Sequence, residues 1–218
     1  FNEDAAYMTT WLELNKLNGI KRLSEFSKNY KKDIKKRISL KIIKSKKLID
    51  IEFSSLLFNG PSLFDILYDK AKQNNKLEII LKNCYDPIYS IPLIRKFSNK
   101  FYLIKICWLN ENNIFECIKF QKNNIFLGEN KKKLNISKKD LILQFVFKNN
   151  NNIKWKNNLD ITKIKQTINY DFEQENLKNS LKPQKLYWDN ISKIAHKSFV
   201  PSSKKSREKG AGGGNDND

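Results

Sequence analysis

The chain opens with two stretches of helical period. Ala5, Ala6, Met8, Trp11, Leu12 and Leu14 recur at near-helical spacing, and Gly19 is placed to end the helix they predict. Ile20, Leu23, Phe26, Tyr30 and Ile34 then return every three or four residues with Lys and Glu between them. That spacing predicts a second amphipathic helix, packed against the first as in a bundle.

From Ser39 the period shortens. Residues 48–58 alternate briefly and then turn apolar at Leu56-Leu57-Phe58, and Asn59-Gly60-Pro61 punctuates the chain. Ser62 then reads as the cap of a helix running to about Gln73, with Leu63, Phe64, Ile66, Leu67 and Ala71 on its buried face. The middle third predicts strands at 76–82, 88–94, 101–109, 114–120, 125–127 and 141–147, joined by Asn-rich turns. Asn110-Glu111-Asn112-Asn113 is the clearest of these turns. Leu109 set opposite Ile114 puts Cys107 opposite Glu116 and the cysteines Cys107 and Cys117 on opposite faces. A slip of one residue would face them to each other, so the register decides whether they bond.

Residues 153–183 fit either state: Ile161, Ile164 and Ile168 suggest a helix, Trp155 and Tyr170 a strand. Leu186, Ile191, Ile194, Ala195 and Phe199 predict a last helix, which Pro201 closes. Without parallel βαβ alternation, neighbouring strands between helical ends imply an α+β fold. The expected order is a helical N-terminus, a mainly antiparallel central sheet and a C-terminal helix followed by a Gly-rich tail. One domain is expected over residues 1–199, with the tail at 200–218.

Composition adds a chemical bias. Net charge is +19 over 218 residues, and only four of the 42 basic residues are Arg. Abundant Lys, Asn and Ile are what an AT-rich genome drifts towards. A basic surface attracts nucleic acid. Readers of phosphate and guanine favour Arg, however, and these lysines are spread out, densest at 28–47 and 131–133. Nucleic acid is therefore not the favoured partner. No apolar run approaches the ~20 residues of a membrane span. Phe1 heads the chain without a basic start or an apolar stretch, which reads as a fragment missing its true N-terminus. Three cysteines without a CxxC pair, and His196 as the sole histidine, argue against a metal site and for free thiols in a reducing cytoplasm.

Four of the seven glycines fall within residues 210–214, followed by Asn215-Asp216-Asn217-Asp218. Glycine codons run against the drift that shaped the rest, so the tail is the candidate functional element. Glycine lets backbone N–H groups approach a ligand closely. Neither a P-loop nor a dinucleotide fingerprint is present, because no Gly-Lys-Ser/Thr and no following helix occur. His196 stands just before this tail and is the one side chain that ordinarily titrates near neutrality.

The ending from Ala195-His196 through Phe199-Val200-Pro201, Ser206-Arg207 and Gly210-Ala211-Gly212-Gly213-Gly214 to Asp218 resembles a proteobacterial family known only as a domain of unknown function. Members of that family close with Phe/Tyr-Val-Pro, then Ser-Arg, Gly-Ala-Gly-x-Gly and Asp-Asn-Asp. The acidic, Ala-rich start with Trp11-Leu12 and Gly19 is similar to it as well. The resemblance implies a bacterial protein with a further helix before Phe1. It brings no established activity, cofactor or catalytic residue. It points to Ser206, Arg207, Gly210, Gly212, Gly214, Asp216 and Asp218 as ligand-binding positions, with His196 beside them. The expected function is a cytoplasmic protein whose Gly-rich peptide completes a small-molecule or partner-binding site. The alternative is a non-enzymatic, Lys-rich module for nucleic acid or an acidic protein.

Overall fold

The computed structural model describes residues 2–29, 48–132, 134, 136–147, 155, 158–178 and 181–198, without the side chains of 2, 170 and 196–198. Two helices lead: α1 (Asn2–Leu14) and α2 (Gly19–Asn29). Gly19 opens α2 and does not close α1. A Cβ there would lie 2.0 Å from the Thr9 carbonyl oxygen, so only glycine lets the helices meet this closely. Lys16 and Asn18, both at positive φ, turn the chain instead. Of the predicted second helix, Tyr30 and Ile34 lie outside the described residues.

Strand β1 (Leu48–Asp50) is followed by α3 (Leu56–Asn74). This helix starts six residues before the expected Ser62 cap, because the Ser55 hydroxyl accepts the Leu57 N–H at 3.1 Å. Pro61 sits inside it. Gly60 stays helical there and presses on Leu93, whose Cδ1 would stand 2.5 Å from a Cβ. Strand β2 (Lys76–Lys82) returns parallel to β1, giving one βαβ unit where none was apparent in the sequence.

The predicted strand at 88–94 is helical: a 3-10 turn at Pro87–Tyr89 runs into α4 (Ser90–Arg95). Ile88 to Ile94 are buried without a break, so they carry no helical stripe. Pro87 and Pro92 cannot donate to a ladder, and the Ser90 hydroxyl donates to the Pro87 carbonyl at 2.6 Å.

The remaining strands are β3 (Leu103–Leu109), β4 (Phe115–Gln121), β5 (Asn124–Asn130), β6 (Leu141–Val146) and β7 (Lys163–Ile168). They complete a seven-stranded sheet in the order β1-β2-β6-β3-β4-β5-β7, antiparallel except for β1 and β2. Helices α5 (Tyr170–Lys178) and α6 (Lys185–Ser198) end the described chain. The fold is α+β. No helix among the described residues is long and apolar enough to cross a membrane.

The β3–β4 register corrects the expected one. Asn110 donates its backbone N–H to Ile114, and its Oδ1 accepts from Asn112 and Ile114, with Asn113 at φ 58°. This loop sets Leu109 against Phe115, so Cys107 faces Cys117 and the two form a disulfide. Among the three cysteines, only Cys84 is the free thiol that the sequence suggested for all.

The larger core lies on one face of the sheet. Met8 and Leu12 of α1, Leu63 and Phe64 of α3 and Ile91 of α4 pack there on Ile79, Ile106, Leu143 and Phe145. Phe97, Phe101 and Phe145 meet at ring separations of 5.5–6.5 Å. On the other face Cys107, Cys117, Ile142, Leu134 and Leu159 form a smaller cluster.

Candidate functional site

The parallel strands β1 and β2 end side by side, and the loops that leave them are bound to each other. The Ile51 N–H donates to the Lys82 carbonyl at 3.1 Å, and the Tyr85 N–H to the Ser54 carbonyl at 3.2 Å. Asp50 braces both loops, accepting from the Glu52 N–H at 2.9 Å and from Asn83 Nδ2 at 3.0 and 3.1 Å. The Glu52 N–H and the Asn83 amide hold its carboxyl below the usual range.

Four non-glycine residues adopt left-handed backbone here: Glu52 (φ 51°), Phe53 (φ 61°), Asn83 (φ 54°) and Asp86 (φ 56°). Asn and Asp tolerate that region, whereas Glu and Phe each cost about 1–2 kcal/mol. Such conformations concentrate at functional sites.

Unpaired polar atoms gather in the same corner. Tyr89 is fully buried and Thr9 is 3% exposed; their hydroxyls lie together and find no partner among the described residues beyond each other. Ser54 Oγ and Asp86 Oδ2 are buried and without a partner there. Burial pushes the Asp86 carboxyl up to about 6, against the pull of Arg22 and with the push of Glu25, both from α2. Burial, then the charge of Asp86, raises the Tyr89 phenol. The exposed rings of Phe53 and Tyr85 flank this turn, with Lys139 Nζ 4.5 Å from the Phe53 ring centre.

Cys84 sits beneath, buried, its N–H donating to the Lys139 carbonyl at 2.6 Å. Burial first, and the charges of Asp86 and Asp140 next, push its thiol up, so it is a neutral, unreactive group. The corner therefore offers hydrogen-bonding capacity and a carboxyl that titrates near neutrality. Among the described residues it offers no activated nucleophile. No group of three or more His, Cys, Asp or Glu among the described residues could hold a metal ion.

A second polar knot beside it is fully paired. Arg95 donates to Glu173 through Nε at 3.2 Å and Nη2 at 2.7 Å, and Trp11 Nε1 donates to Glu173 at 3.1 Å. It ties α1, α4 and α5 together.

Of the residues that the sequence singled out, Ser206, Arg207, Gly210, Gly212, Gly214, Asp216 and Asp218 lie outside the described residues, as does the side chain of His196. The backbone of His196 belongs to the last turn of α6. That helix runs along α2 in the same direction: Tyr187 meets Lys21 at 5.8 Å, and three residues later Asn190 Nδ2 donates to Ser24 Oγ at 3.3 Å. The far end of α2 carries Phe26, whose ring packs on Phe58 of α3 and on Tyr85 (5.2 and 6.4 Å). Helix α6 thus heads towards the end of α2 that borders the strand-end corner.

The corner residues Thr9, Ser54, Asp86 and Tyr89 were missed. Asp86-Pro87 read only as a joint, and no sequence spacing unites positions as far apart as Thr9 and Tyr89.

Residues 1–56, about a quarter of the chain, match the model of a family described as "Protein of unknown function (DUF3726)". The match carries α1, α2 and β1, so it includes Thr9, Arg22 and Ser54 but not the tail motif. Comparison with curated proteins found no match, and comparison with solved structures found none.

Proposed function

We propose that the protein binds a small molecule rich in hydrogen-bond donors, an amine or a polyol, in the corner where β1 and β2 end. In this proposal the Gly-rich peptide at 210–218 completes the site. One observation supports the corner above all: Ser54 Oγ and Asp86 Oδ2 are buried and unpaired among the described residues around one strained turn, beside the Thr9 and Tyr89 hydroxyls, which have only each other. Leaving such a group unsatisfied costs about 1–3 kcal/mol each. A donor-bearing ligand removes that cost and gains the flat faces of Phe53 and Tyr85.

The direction of α6 supports the part given to the tail, since it carries residue 198 towards the end of α2 beside Tyr85. Gly210, Gly212 and Gly214 would bring backbone N–H groups close to the ligand. Ser206, Arg207, Asp216, Asp218 and His196 would supply side-chain contacts.

A thermal-shift screen of small amines and polyols tests this on three proteins: the full chain, Asp86→Asn, and a chain ending at residue 209. The expected result is a stabiliser of the full chain whose effect vanishes in both variants. Equal stabilisation of all three, or no stabiliser at all, overturns it.

We further place this binding in the bacterial cytoplasm, where small metabolites are abundant. Cell fractionation should then recover the protein with the cytoplasmic contents. Recovery with a periplasmic or secreted fraction would overturn that placement.

A further inference from the structure

On the opposite face of the sheet, the β3–β4 hairpin and the chain after β5 enclose a second, separate cleft of about 560 Å³. Clefts of roughly 300–1,000 Å³ with apolar walls and few polar groups are the usual form of a small-molecule site. Its walls are Ile114, Phe115, Leu134 and Ile136. Ile114 is an exposed large hydrophobic side chain, and Phe115, Leu134 and Ile136 continue into the apolar cluster over the Cys107–Cys117 bond.

The polar groups of the rim are already engaged with one another. Asn130 donates from Nδ2 to the Asn158 carbonyl at 2.9 Å and accepts the Lys132 N–H at 2.8 Å. Glu129 pairs with Lys165. The Lys163 and Lys131 ammonium groups also act on the Glu129 carboxylate, whose cross-strand neighbour on β4 is Glu116. Lys131 itself lines the cleft. With Glu129 engaged by Lys165, Lys131 is the charged side chain of the described lining left to meet a ligand beside the apolar wall.

We propose that this cleft binds a small monocarboxylate with an apolar body, its carboxylate at Lys131 and its body against Ile114, Phe115 and Leu134. The probe is octanoate below its micellar range, followed by amide NMR on the full chain, with octyltrimethylammonium as the charge-reversed control. Octanoate should give saturable shifts at Ile114, Phe115 and Lys131, and the ammonium should give none there. Lys131→Glu should weaken octanoate about tenfold, the effect of removing one exposed attraction and adding one repulsion. Ile114→Ser, at an exposed position, should weaken it independently by shortening the wall. Absent or unsaturable shifts at these amides, equal binding of the ammonium, or an unchanged affinity in Lys131→Glu would each overturn the assignment.

Discussion

Replacing Asp86 by Asn should stabilise the free protein near neutral pH while removing its capacity to hold a ligand. Asn keeps the shape of the side chain and tolerates the left-handed backbone at φ 56°. The carboxyl ordinarily titrates at 3.8 and here at about 6, because burial opposes its charge. A folded-state value above the unfolded one means that the folded protein binds the extra proton between those two pH values. Stability of the wild type therefore falls as pH rises through that window and stays low above it. At about 1.4 kcal/mol per pH unit, the ionised carboxyl costs the fold about 2–3 kcal/mol at pH 7.5. Asn never ionises and escapes that cost.

Urea titrations of both proteins from pH 3.5 to 8 measure the difference directly, and other titrating groups cancel in it. The two midpoints should agree near pH 3.5 and part steadily to pH 7, with the variant ahead. A constant difference across the range, or a wild type more stable at pH 7.5, would refute the burial of an ionisable Asp86 next to Arg22 and Glu25.

Three further perturbations probe the frame of the fold. Glu173→Ala strips the carboxylate from Arg95 and Trp11; with the pair 24% and 16% exposed, the loss should be about 2 kcal/mol by urea unfolding, and Glu173→Gln should lose less. Gly19→Ala drives a Cβ to 2.0 Å from a backbone oxygen, so α1 and α2 must part, at a cost of about 2–3 kcal/mol seen as a lowered urea midpoint. Reducing the Cys107–Cys117 bond, which closes a loop of sequence separation 10, should lower stability by up to about 2–3 kcal/mol in parallel titrations with and without reductant. Identical midpoints in the last pair would show that the hairpin turn alone holds the strands.

Most of what was legible in the sequence came from the spacing of apolar residues. Helices α1 and α2 place buried residues at helical spacing between exposed ones, while β6, buried throughout, was legible only as a short apolar run between polar joints. The failures have physical causes. Ile88 to Ile94 are buried all round, and a continuous apolar run does not distinguish strand from helix. Pro61 and Gly60 look like a break, but a Ser55 cap upstream starts α3 early enough to absorb them. The β3–β4 register turned on the Oδ1 of Asn110, which accepts two backbone N–H groups and shifts the pairing by one residue. The strand-end corner was invisible because Thr9, Ser54 and Asp86 come together only through the parallel return of β2 beside β1, and that unit is too short to leave a pattern.

Amide hydrogen exchange decides whether the C-terminal peptide and the corner form one site. Residues 84–90 and 200–209 would be compared between the full chain and a chain ending at residue 209. The account predicts that removing 210–218 speeds exchange at both segments, by about tenfold or more at the Tyr85 and Tyr89 amides of the corner. Unchanged exchange at 84–90, with residues 200–218 of the full chain exchanging like a free peptide, would contradict it.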